Sequence, residues 1–209
     1  MLRLSLAISD LPLPAAGAGL PRLPALERLL ARGERDDAAS GFRHWVLSQA
    51  GISPPPRLPL ASVVAGRQGP FALASPVHLV ASLERVHLHP AGPLRLEPGE
   101  LEEIAASFDA ALGGDGLSLE PLADSLALLG LPRALDCETH DPAALAGREA
   151  GGGLPSGPDG GWLRRLMTEA QMLLHDHPVN AARTARGALP ANGLWIWGSG
   201  GDALPAPAR

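Results

Sequence analysis

The chain has 209 residues, 45% of them apolar, which is enough to bury a core and too many for wholesale disorder. Its net charge of -5 and pI near 5.8 argue against a general nucleic-acid binder, which carries a basic face. All seventeen basic residues are Arg, which excludes a Schiff-base or P-loop lysine; the single cysteine, Cys137, excludes an internal disulfide and a cysteine-rich zinc site and reads as a small semi-buried hydrophobe.

Leu2 to Ser9 reads as a strand that ends at Asp10. The apolar run from Leu4 to Ile8 is too short for a signal peptide, and no stretch approaches the ~20 apolar residues of a membrane span. A cytoplasmic location is therefore expected. Leu23 to Arg32 predicts a short helix with Leu26, Leu29 and Leu30 on one face, stopped by Gly33. Trp45, Val46 and Ile52 belong to a second helical segment that Pro54 to Pro56 ends. Val77 to Leu88 reads as strand material with Val77, Leu79, Val86 and Leu88 facing inward.

Pro98 to Leu112 predicts a helix. Glu100, Glu102 and Glu103 suit the positive end of its dipole, and Leu101, Ile104, Ala105, Phe108 and Leu112 recur at helical spacing. Leu117 to Leu131 fits either a strand or a helix, and Gly147 to Gly161 reads as an exposed loop. Asp159 is placed to cap a helix running to about Asp176, with Trp162, Leu163, Leu166, Met167, Ala170, Leu173 and Leu174 as its apolar stripe. Pro178 stops that helix and a polar turn follows. Leu194 to Trp197 then reads as a strand, Gly198 to Gly201 as a Gly-rich turn, and Ala203 to Arg209 as a frayed tail.

Several groups could carry chemistry. His177, Pro178, Val179 and Asn180, with Arg183, Arg186 and Asn192, combine guanidinium forks suited to phosphate or carboxylate with oriented His and Asn donors; the same set could lock a loop to the following strand. His140 and Asp141 place an imidazole beside a carboxylate in a loop. If a short helical turn resumes after Pro178, Asn180 and Arg183 share one side, and Arg183 then needs an acceptor, either Asp141 or a ligand. His175, Asp176 and His177 diverge on a helix and suit its C-terminal carbonyls better than a metal. Asp10 ends the first strand, a position that often carries function in α/β proteins. The Gly-rich turn after Trp197 lacks a following helix and a Lys, so it is neither a P-loop nor a dinucleotide fingerprint.

The segment from Trp162 to Gly200, with His177-Pro178-Val179-Asn180 and Arg183, Pro190-Ala191-Asn192, and Trp195 through Trp197-Gly198 to Gly200, resembles bacterial regulatory proteins of the RpfE type. That group is related to archaeal-type cofactor-independent phosphoglycerate mutases of the alkaline-phosphatase superfamily. Leu4 to Asp10 and Leu23 to Gly33 are similar to the mutases' opening strand, metal-binding Asp and first helix, and His140-Asp141 is similar to their Pro-His-Asp-Ile loop.

The resemblance implies an α/β or α+β fold with a central mixed sheet and packed helices. It implies a strand–helix opening segment over residues 1–70, a domain over 71–201 similar to the mutases' substrate-recognition portion, and a tail over 202–209. It also makes Asp10 a vestigial metal ligand and His140, Asp141, His177, Asn180, Arg183, Arg186 and Asn192 remnants of a phosphate-ester site. Departures weigh against catalysis: Leu11 rather than Gly follows Asp10, Ser40 and Ser48 lack the nucleophile's Gly/Asn-rich setting, and the metal-rich second half expected after Trp197 has no counterpart before Arg209. The expectation is a degenerate, non-catalytic protein, regulatory or phosphate-ester-binding, with no cofactor. A protein partner could act on the Trp195/Trp197 strand. The alternative is a mutase-like phosphotransferase or isomerase using Mn or Mg, active alone or with a partner chain.

Overall fold

A computed structural model describes residues 23–32, 42–53, 57–114 and 116–200. They fall into two compact units, residues 23–53 in one and 57–200 in the other. The expected opening strand, Asp10 and the tail lie outside the described residues. In the first unit the two expected short helices are α1 (Pro24–Arg32) and α2 (Phe42–Gln49); Ile52 falls beyond the end of α2, its N–H bonded to the Leu47 carbonyl.

The second unit is a five-stranded sheet with helices packed on it. After α3 (Leu60–Ala65) come β1 (Phe71–Ala81), β2 (Val86–Pro93), α4 (Glu100–Leu112), β3 (Ser118–Ala123), β4 (Leu126–Gly130), α5 (Gly160–His175), α6 (Pro178–Ala185) and β5 (Gly193–Trp197). Among the described residues every strand pairing is antiparallel, so the expected α/β or α+β class is met in its α+β form, with a wholly antiparallel sheet in place of the expected mixed one.

Strand β1 organises the sheet. Leu73 and Ala74 pair with β4 and with β5 at once, which puts those two strands on opposite edges of β1. Its residues 72–77 are all buried, as expected of a strand covered on both faces. Pro76 is tolerated in this central strand because it lies between the end of the β4 pairing at Ala74 and the start of the β2 pairing at Val77. Its carbonyl accepts from Leu94 N–H at 2.8 Å, and its missing N–H falls in the same gap. A bulge follows between Val77 and Leu79. There the Asn192 carboxamide accepts from Leu79 N–H at 2.7 Å and donates to the Leu79 carbonyl at 2.9 Å, which prolongs the β5 ladder beyond the Val77–Gly193 pairing.

Residues 77–88 form the two arms of a hairpin, and 117–131 form a second hairpin, β3–β4. Val77 and Leu88 are buried and Leu79 is partly so, but Val86 is exposed, because it pairs with Ala81 beside the turn at the tip of the first hairpin. Helix α4 buries Leu101, Ile104, Ala105 and Phe108, and Asp109 ties its last turn to β3 by accepting from Leu119 N–H at 2.8 Å. Helix α5 packs on β5 through Leu163, Leu166, Met167, Ala170 and Leu174; Trp162, at the edge of that stripe, stays 38% exposed.

Asp159 occupies the N-cap position of α5, but its carboxylate makes no cap bond. It accepts from both Arg133 guanidinium nitrogens and from Asp136 N–H, and the Arg133 pair chiefly holds its pKa down to about 2. The expected exposed loop at 147–161 is tied down at several points: Ala150 N–H bonds Val86, Ser156 bridges Glu138, and Ala150 is buried. After β5 the chain turns at Gly198, whose φ of +67 suits glycine. A side chain at Gly200 would collide with Leu58 and Pro59 backbone atoms at 2.5 Å.

The inward and outward assignments on β2 can be checked by urea unfolding. Leu88→Ala should lower stability by about 2–5 kcal/mol. Val86→Ala should change it by no more than about 0.5 kcal/mol.

Candidate functional site

Proline lacks an N–H and has a fixed φ, which suits it to the first position of a helix as well as to ending one. Pro178 does the former: α5 ends at His175, and Pro178 opens α6 where a polar turn was expected. His177 is the N-cap in extended conformation, and its ring Nδ1 accepts from Val179 N–H at 3.3 Å. The ring proton therefore sits on Nε2, which donates to Ser107 Oγ on α4 at 2.9 Å. Burial pushes the His177 pKa down, against the smaller opposing pull of Glu103.

Helical spacing puts Val179, Asn180 and Arg183 on the buried side of α6. Asn180 uses its whole amide: Nδ2 donates to the Leu174 and Ala191 carbonyls at 2.7 and 2.9 Å, and Oδ1 accepts from Ala191 N–H at 2.8 Å. It thus joins the end of α5 to the approach to β5. Arg183 Nε donates to the Leu189 carbonyl at 2.7 Å. The acceptor that Arg183 requires is Glu100, in the first turn of α4, at 2.5 Å. Arg186 binds the other oxygen of the same carboxylate and reaches Glu97 at 3.3 Å.

The Arg183 and Glu100 side chains are 5% and 11% exposed, whereas that of Arg186 is 32% exposed. Burial by itself would raise the Glu100 pKa. Hydrogen bonds from Arg186, from Glu97 N–H and from Arg183 outweigh it, and the carboxyl titrates below its usual value. Sequence reasoning used Glu100 only to complement the helix dipole. Its partner lies 83 positions away, and no local pattern links them.

The remaining candidates are engaged elsewhere. Asp141 Oδ1 accepts from Ala143 N–H at 2.9 Å and caps a 3₁₀ turn at Pro142–Leu145. The His140 carbonyl accepts from Trp195 Nε1 at 2.9 Å. Asn192 fastens the β1 bulge, as described above. His175 and His177 diverge, the first exposed and the second buried, but His177 lies beyond α5 and its ring caps α6 and bonds Ser107 where the α5 C-terminal carbonyls were expected as partners. Trp195 and Trp197 both point into the core, Trp197 Nε1 donating to Ser75 Oγ at 3.1 Å, so β5 does not present them to a partner. Cys137 is buried, with Sγ 3.7 Å from Ser199 Oγ, and burial raises its pKa. Beside Ser199 lies an open pocket of about 280 Å³ with Gln68, Phe71, Leu131 and Leu135 in its wall and no charged side chain lining it. Among the described residues, no three His, Cys, Asp or Glu side chains gather where a metal could sit, and no helix is long and apolar enough to cross a membrane.

No protein-family model matches the chain. Among curated proteins it is 31% identical over 127 residues to a 2,3-bisphosphoglycerate-independent phosphoglycerate mutase of Methanosarcina barkeri, which covers 60% of this chain and 31% of that protein. It is 33% identical over 118 residues to the equivalently named protein of Methanothrix thermoacetophila, covering 56% and 28%. The chain is partially homologous to archaeal cofactor-independent phosphoglycerate mutases. It spans about a third of the length of these relatives. Among solved structures it is similar to the cofactor-independent phosphoglycerate mutase of Thermoplasma acidophilum, with a TM-score of 0.48 and 21% identity over 73% of this chain and 44% of that one. The PH0037 protein of Pyrococcus horikoshii matches with a TM-score of 0.45 and 17% identity over 77% and 37%.

Two outcomes follow from the cluster. Arg183→Ala removes the more deeply buried of the two guanidinium partners of Glu100 and should destabilise the fold by about 3 kcal/mol in urea unfolding. Replacing both Arg183 and Glu100 with apolar residues of similar volume should cost less than that single change. Burial holds the folded-state pKa of His177 below the ordinary histidine value of 6.5, so the unfolded chain takes up the proton first as pH falls. His177 therefore contributes its full stability above pH 6.5 and loses it as pH drops towards the folded-state value. His177→Gln should flatten the fall in stability with pH over that window.

Proposed function

We propose that this phosphoglycerate-mutase-related chain acts as a non-catalytic module, regulatory in the manner of RpfE-type proteins or binding a phosphate ester, with no mutase chemistry of its own. The observation that carries this reading is the use made of the polar cluster around α6. Arg183 and Arg186 grip a carboxylate that the chain itself supplies, and His177 and Asn180 fasten helices and backbone. Side chains spent on the fold are not free to move protons or phosphoryl groups. Arg186, at the rim of the cluster and partly exposed, is the group best placed to meet an anion from solution.

The second reading, a mutase-like phosphotransferase or isomerase active alone or with a partner chain, is favoured by the names of the relatives, which are all phosphoglycerate mutases. Metal-supplemented turnover separates the two. Purified protein with Mn²⁺ or Mg²⁺ should not interconvert 2- and 3-phosphoglycerate, and robust metal-dependent turnover would overturn the non-catalytic reading. In a thermal-shift titration with 3-phosphoglycerate, binding to the folded state should raise Tm with concentration. Arg186→Ala should remove that rise, and an unchanged Tm in the parent protein would leave the regulatory reading without its ligand-binding form.

A further inference from the structure

A different part of the fold carries a pair of histidines that the α6 cluster does not involve. One step beyond the Leu79–Leu88 pairing, His78 on β1 and His89 on β2 meet across the strands, with ring centroids 5.7 Å apart and planes at 75°. Both rings are half-buried, so solvent reaches them. His78 Nδ1 lies 2.9 Å from the Pro190 carbonyl. That oxygen can only accept, so Nδ1 carries the proton and the Nε2 lone pair is left for another partner. This is the arrangement of a metal-binding imidazole: the non-ligating nitrogen donates to a backbone carbonyl, which fixes tautomer and orientation.

We infer that His78 and His89 form a cross-strand site for a borderline divalent transition ion such as Zn²⁺, Ni²⁺ or Cu²⁺, with water in the remaining positions. A metal ~2.1 Å from each nitrogen lies ~3.2 Å from each ring centroid, so two imidazoles at tetrahedral to trigonal angles have centroids ~5.2–5.6 Å apart. The observed centroid distance of 5.7 Å is close to that range, and ligation requires the rings to present both Nε2 atoms to the shared ion. Neutral imidazole suits these ions, and hard Mg²⁺ and Ca²⁺ are disfavoured. His89 Nδ1 accepts from Ala91 N–H at 3.1 Å, so its proton is on Nε2. Ligation through Nε2 moves that proton to Nδ1 and gives up one exposed hydrogen bond. His87 lies two residues before His89 on β2, with Glu149 as its bridge partner; the Glu149 carboxylate is held by Arg85 at 2.7 Å. The described side chains gather no set of three ligands, so the site is a two-histidine one.

Calorimetric titration of the tag-free full chain with ZnCl₂ should show a single dominant site. His78→Gln and His89→Gln should each weaken it by roughly tenfold or more, while His175→Gln should leave it unchanged. Absence of Zn²⁺ binding by the parent protein, or undiminished binding by the double variant, would overturn the assignment. A second measurement avoids substitutions. Substoichiometric Ni²⁺ should broaden the ring resonances of His78 and His89 before those of other histidines, and broadening that starts at His140 or His175 would refute the site.

Discussion

A carboxylate removed from water at the start of α4 sets the arrangement of the elements around it. Glu100 cannot remain charged in that position without strong donors. It receives the guanidinium of Arg183 from α6, that of Arg186 from the C-cap of the same helix, and the N–H of Glu97, and these bonds outweigh the burial that would otherwise neutralise it. The contact fixes α4 against α6, and through Arg183 Nε it also holds the Leu189 carbonyl of the segment leading into β5. Asn180 and His177 continue the same fastening towards the end of α5 and towards Ser107. A set of residues with the composition of an anion site is thereby closed on an internal anion.

The sheet depends on a second constraint, the sharing of β1 among three partners. A strand that bonds β4 and β5 along one stretch and β2 along the next must interrupt one ladder before starting another. Pro76 and the bulge at Val77 to Leu79 occupy that interruption, and the Asn192 amide supplies the bonds that a regular strand would have made. His78 and His89 lie within the bulge, where they meet across the hairpin. The irregularity that lets β1 serve three neighbours thus holds the proposed metal pair.

The partial homology to phosphoglycerate mutases and the internal use of the α6 cluster are compatible. Residues that carry a family resemblance can be retained because the fold requires them. His177 as a cap, Asn180 as a three-bond junction and the two tryptophans with satisfied indole N–H groups each have a structural reason to be the residue they are.

The sequence by itself determined what depends on near neighbours. Helical spacing in Leu101, Ile104, Ala105 and Phe108, and in Leu163, Leu166, Met167, Ala170 and Leu174, identified the buried faces of α4 and α5. The apolar run at Leu194 to Trp197 identified β5. Tertiary structure decided what depends on distant partners. Pro178 is equally suited to ending one helix and opening the next, and only the backbone path distinguishes them. Val86 and Leu88 carry the same alternation signal, yet one lies beside the turn at the tip of a hairpin and the other in the core. Glu100 was legible as a helix-dipole residue, and its role as counter-ion to Arg183 and Arg186 arises only when folding brings positions more than eighty residues apart together, because charge pairing acts through space and leaves no periodic trace in the chain.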